Sequence, residues 1–127
     1  MAIQDATEAE RRRARQVRAA RNQSLFREVN ERIETLQMGW GEPIHIEFVC
    51  ECYDDACSLP LTMKRVEYAA VRQDSLSFVV LPEHVDAQVE EVVDRHEDYW
   101  VVRKIEAGMA MAQHTDPRRR AFVNRRG

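Results

Sequence analysis

No glycine or proline occurs before Gly39, and the residues up to that point are dominated by Ala, Arg, Glu and Gln. Such residues favour helix and nothing interrupts them, so the spacing predicts one long helix ending at about Gln37. Leu25, Phe26, Val29, Ile33 and Leu36 succeed one another at intervals of one, three, four and three, which puts all five on one face. Five large apolar side chains are too much surface for a solvated helix, so this face is expected to be buried on a sheet or against a second copy. Before Leu25 only Val17 interrupts a polar, alanine-containing stretch, so the first half of the helix is expected to project or fray. Gly39, Gly41 and Pro43 end it.

Beyond Pro43 the chain alternates between short apolar runs and turn residues. Ile44, Ile46 and Phe48 lie on one side of an expected strand over residues 44–50, with His45, Glu47 and Val49 on the other. A short helix is expected over 63–73 with Thr62 as its N-cap, then an apolar strand over 76–81 ended by Pro82. Residues 89–94 and 99–105, rich in β-branched side chains, read as a hairpin around the polar turn at 95–98. The expected fold is therefore α+β: a long N-terminal helix, a small and mainly antiparallel sheet, and one short helix.

The net charge of -3 conceals a segregation. Residues 1–21 carry +3, residues 117–127 carry +5, and residues 22–116 carry -11. The chain divides accordingly into an Arg-rich helical extension over 1–23, an α+β domain over 24–107 and a basic tail over 108–127. Arg11, Arg12, Arg13, Arg118, Arg119, Arg120, Arg125 and Arg126 are the candidates for contact with an anionic partner, where guanidinium groups fork onto carboxylate or phosphate. A protein partner, or a homodimer through the N-terminal helix, is favoured over nucleic acid, which the acidic middle would repel. In 127 residues no apolar run approaches the roughly 20 needed to cross a bilayer, and the start lacks the apolar core of a signal peptide. A cytoplasmic protein without membrane contact is expected.

All three cysteines, Cys50, Cys52 and Cys57, fall within eight residues. Residues i and i+2 of an extended chain share a side, and the turn through Asp54 and Asp55 can return the third sulfur to the same point. Three converging thiolates suit zinc, which they bind at about 2.3 Å in tetrahedral geometry. A fourth ligand is needed, and the candidates are the four histidines and the two turn acids. His45 has the wrong strand parity and His114 lies in the expected tail, which leaves His84 and His96 in loops that could converge. Among the residues there is no phosphate-cradling glycine loop, no GxSxG and no HExxH, so an enzyme is not expected.

The runs from Phe26 to Ile33 (FREVNERI), Cys50-Glu51-Cys52 with Cys57, Glu67-Tyr68 with Val71-Arg72, and Val101-Val102-Arg103-Lys104 together resemble a family of small, functionally uncharacterised, mostly actinobacterial proteins. That family runs FREVNERI, CEC with a later Cys, EYxxVR, PGH and VVEK, and the resemblance covers about residues 24–105. It implies a shared fold and a shared metal-like cluster, and it brings no activity with it. Its PGH tripeptide maps onto Pro82-Glu83-His84, which favours His84 as the fourth ligand, although Glu83 stands where the family has Gly. The function expected from residues and resemblance together is that of a small non-catalytic zinc-binding interaction or regulatory protein. A thiol/zinc redox sensor and a nucleic-acid-associated protein are the alternatives.

Overall fold

Thr7 opens the first helix with a capping box: its hydroxyl accepts from the Glu10 N–H at 3.0 Å while its own N–H donates to the Glu10 carboxylate at 2.9 Å. From there α1 runs unbroken over Glu8–Met38. A computed structural model describes residues 7–38 and 45–119. After α1 come β1 (Ile46–Val49), β2 (Pro60–Met63), α2 (Arg65–Val71), β3 (Ser77–Val80), β4 (Glu90–Arg95), β5 (Trp100–Lys104) and α3 (Ala107–His114). β1 and β2 form an antiparallel pair, and β3, β5 and β4 form an antiparallel sheet in that order. The fold is α+β.

The two sheets meet at the segment that leaves β1. Cys50 N–H donates to Leu59 O at 2.9 Å, which extends the β1–β2 pairing, and Glu51 N–H donates to Val79 O at 2.8 Å, which ties the same segment to β3. The apolar core lies between these strands and α2, with Phe48 stacked on Tyr68 and with Phe78, Val79, Val80 and Val102 fully buried. The hairpin expected over 89–105 is present as β4 and β5, with a register shift between Val92 and Asp94. Thr62 belongs to β2 and does not cap α2. The helix starts after Lys64, whose N–H donates to the Glu67 carboxylate at 2.7 Å.

α1 departs most from expectation. Leu25, Val29 and Leu36 are 58%, 45% and 65% exposed, and only Phe26 and Ile33 of the expected face are half-buried. The line that faces the body is Gln16, Ala20, Gln23, Arg27, Asn30 and Glu34, all buried and spaced four, three, four, three and four. This polar line can be buried because nearly all its groups find partners on the strands, the loops and α3; among the described residues Arg27 Nε is the buried side-chain atom left without one. Gln16 donates to Gln88 O and Glu106, Gln23 to Glu51 O and Glu90, Asn30 to Val49 O and Glu51, and Arg27 to Ser75 O and Ala112 O while lying over the Phe78 ring. Hydrogen-bond satisfaction thus decided which side of α1 turned inward, against the pull of apolar burial. Burial begins at Gln16, so α1 is docked across residue 23, where a projecting extension was expected to end.

The expected tail is also structured in its first part. α3 packs on α1, and Gly108 permits the close approach: a Cβ there would sit 3.3 Å from Gln16 O and from the Lys104 side chain. Asp116 then closes the chain onto α2, accepting from Arg72 at 2.5 Å and from the Ser75 hydroxyl at 2.5 Å. Burial works to raise the Asp116 carboxyl, but the bonds from Arg72 and Ser75 outweigh it and hold it at about 2.

Candidate metal centre

Cys50 and Cys52 leave β1 in extended conformation, so both sulfurs emerge on the buried side that also carries Ile46 and Phe48. The chain then turns at Asp54, whose carboxylate accepts from Ala56 N–H at 3.0 Å and whose carbonyl accepts from Cys57 N–H at 3.0 Å. That turn brings the Cys57 sulfur back to the other two. The Asp54 carboxylate is exposed and is not among the donor atoms that converge.

The fourth group arrives on a turn after β3. His84 N–H donates to Leu81 O at 3.0 Å across Pro82 and Glu83, and Glu83 has φ 71°. Proline at the second position and positive φ at the third are the marks of a type II turn. The imidazole Nδ1 lies 3.6 Å from Cys50 Sγ and 3.8 Å from Cys57 Sγ. The four donor atoms of Cys50, Cys52, Cys57 and His84 all lie within 4.8 Å of one another. A tetrahedral ion with sulfur at about 2.3 Å and nitrogen at about 2.0 Å holds the two about 3.6 Å apart, so the observed sulfur–nitrogen separations fit a metal ion.

Comparison with family models, with curated proteins and with solved structures gives no match. The arrangement must be read from its own chemistry.

All three cysteines are free thiols and buried, and His84 is half-buried. Without a cation the three sulfurs share their protons unequally. A hydrogen bond from Cys50 above all, against the opposing effect of burial, pulls the Cys52 thiol down to about 5, while the same bond and then burial push Cys50 up. Burial pushes Cys57 up as well. A cation at the centre would favour the thiolate at all three sulfurs and release the protons. The Leu81 N–H already points at Cys50 Sγ from 3.2 Å, a donor suited to a thiolate.

The other sequence candidates lie apart. His96 is exposed, bonded to Asp94 at 2.8 Å and stacked on Tyr99; His45 and His114 are exposed. The Arg-rich ends divide. Arg11, Arg12 and Arg13 are exposed on the first turns of α1, and Arg119 is exposed. Arg118, expected to face a partner, instead donates to Glu31 at 2.8 Å and to Glu34 at 2.6 Å within the same molecule. Two carboxylates of α1 hold it because the acidic body supplies the nearest anions. Arg120, Arg125 and Arg126 lie outside the described residues.

Glu83 is the strained member of the centre's surroundings. Left-handed backbone costs a residue with a Cβ about 1–2 kcal/mol, and a glycine at this position would avoid it. Because the Glu83 side chain is exposed, Glu83→Gly is expected to raise the unfolding free energy by about 1 kcal/mol after the extra freedom of glycine in the unfolded chain is counted. Urea denaturation monitored by circular dichroism measures this directly. A lower midpoint for the glycine variant would show that the turn tolerates Glu83 without strain.

Proposed function

We propose that the protein is a small non-catalytic zinc-binding interaction or regulatory protein, with one zinc held by Cys50, Cys52, Cys57 and His84. The observation that carries the reading is the convergence of three sulfurs and one imidazole nitrogen at ligand spacing. Soft thiolates with one neutral imidazole select zinc over the harder cations, which prefer oxygen. Four protein donors complete a tetrahedron and leave no position for substrate water, which is the form of a structural site. The motif resemblance belongs to the same proposal. It adds the expectation of a related cluster in other small bacterial proteins and no activity.

Interaction is placed on the outward side of α1, a helix of 31 residues. The exposed Leu25, Val29 and Leu36 support that placement, since among the described residues no element of the body covers them. Among the described residues no helix is long and apolar enough to cross a membrane.

The test is elemental analysis of protein purified without added metal, with His84→Ala and His45→Ala beside the parent. About one zinc per chain is expected in the parent and in His45→Ala, with zinc retention weakened about 10- to 100-fold in His84→Ala. Equal retention in the two histidine variants would remove His84 from the ligand set, and a metal content near zero in the parent would end the zinc reading.

A further inference from the structure

Between the two ligands Cys50 and Cys52 stands Glu51, fully buried and pointed the other way along the extended chain. Its surroundings are unusual for a carboxylate. Oε1 accepts from Val79 N–H at 3.0 Å, and Oε2 accepts from Asn30 Nδ2 at 2.9 Å and from the Tyr68 hydroxyl at 2.9 Å. Each of these three donors comes from a different element, β3, α1 and α2 respectively. Its backbone is held as well: the N–H donates to Val79 O at 2.8 Å, and the carbonyl accepts from Gln23 Nε2 at 3.0 Å. Asn30 adds a second grip two residues earlier, donating to Val49 O and accepting from Val49 N–H, both at 2.8 Å.

We propose that Glu51 is a positioning residue for the metal centre, fixing the spacing and direction of Cys50 and Cys52 before a metal ion arrives and joining the centre to α1. The proposal rests on the zinc-binding reading of the four donors. Clamping the middle residue of an extended tripeptide on its amide, its carbonyl and its side chain leaves residues i-1 and i+1 little freedom, and those residues are the two ligands. The Val79 N–H on Oε1 and the Asn30 NH2 on Oε2 can only donate, so the site calls for an acceptor at both oxygens. Glutamine keeps the shape but turns an NH2 toward at least one of the donors, which is why Glu51→Gln is the informative change.

The experiment is titration of metal-free full-length protein with Co(II), read by the thiolate-to-cobalt charge-transfer and visible d–d bands, and then competition with zinc. Parent, Glu51→Gln, Asn30→Ala and the control Glu47→Gln, whose side chain is exposed on β1, are compared. Glu51→Gln and Asn30→Ala should weaken metal binding about 10- to 100-fold and broaden or shift the d–d bands, while Glu47→Gln matches the parent. A variant that had lost only global stability would, once folded at low temperature, return the parent's cobalt spectrum and affinity, and that result in Glu51→Gln would overturn the positioning role. If Glu51→Gln fails to fold, Asn30→Ala carries the same test, with parent-like affinity and spectrum overturning the proposal. A parent protein that takes up no cobalt and no zinc would overturn the zinc reading together with this inference, whereas tight binding by parent and variants alike overturns the inference alone.

Discussion

Replacing Cys50 with serine should abolish the zinc binding proposed for Cys50, Cys52, Cys57 and His84 and remove much of the folded stability. Zinc held by three thiolates and an imidazole contributes on the order of 10 kcal/mol of binding free energy that unfolding must give up, comparable with the whole net stability of a typical domain. The loss here should be smaller, because Phe48, Tyr68, Phe78 and Val102, which share the core with the cysteines, bury apolar surface that contributes with or without an ion. A decrease on the order of 5 kcal/mol, or roughly 15–20 °C in the melting temperature, is expected for Cys50→Ser and for the parent in excess chelator. The damage should concentrate in residues 50–57 and 81–85, which would exchange their amides faster while β3 and β5 keep their protection. Melting curves that coincide with and without chelator would refute the structural role of the centre.

Lys104→Ala should be the most damaging change away from the cysteines. Lys104 is fully buried at the end of β5, where its ammonium donates to the Gln23 amide oxygen and, at 3.1 Å, to Glu90, itself buried. Burial lowers the affinity of Lys104 for its proton, and Glu90 opposes that shift. Removing the lysine leaves the Glu90 carboxylate in the interior with only the Gln23 amide and the Asp86 N–H as donors, a loss of about 3–5 kcal/mol. The cavity left by the side chain adds to it. Denaturant titration of Lys104→Ala, Glu90→Ala and the double variant gives the coupling: the double should cost clearly less than the sum. Additive losses would mean that the two charges do not support one another, and a loss under about 1 kcal/mol for Lys104→Ala would show that water reaches Glu90.

The parts of the cysteine–histidine cluster differ in how far they could be read from residues alone. The cysteine cluster was legible because its logic is local: an i, i+2 pair on an extended chain and a tight turn bring three sulfurs together whatever the rest of the chain does. The fourth ligand was half legible. The residues alone left His84 and His96 open and the resemblance favoured His84; the Pro82-Glu83 turn, held by a bond back to Leu81, aims that imidazole at the sulfurs, while Asp94 and Tyr99 hold the other. Glu51 was missed because alternation assigns it to the side opposite the cysteines, which at a sheet surface means solvent. Here α1 covers that side.

The N-terminal helix, its length and its end were determined by composition and by the glycines at 39 and 41. So were the β4–β5 hairpin and the existence of a soft-ligand cluster, since each depends on propensity, periodicity or chain geometry over a few residues. Which face of α1 turns inward was decided only by the tertiary structure. Apolar content pointed to Leu25, Val29 and Leu36, whereas the face that docked carries Gln23, Arg27 and Asn30. The signal was present as polar residues at intervals of four and three, but its meaning lay in partners far along the chain: Glu51, Ser75, Glu90 and Ala112. A buried polar group is stabilising only where a matching group waits for it, and that complementarity exists only once the strands, the loops and α3 have assembled around the helix.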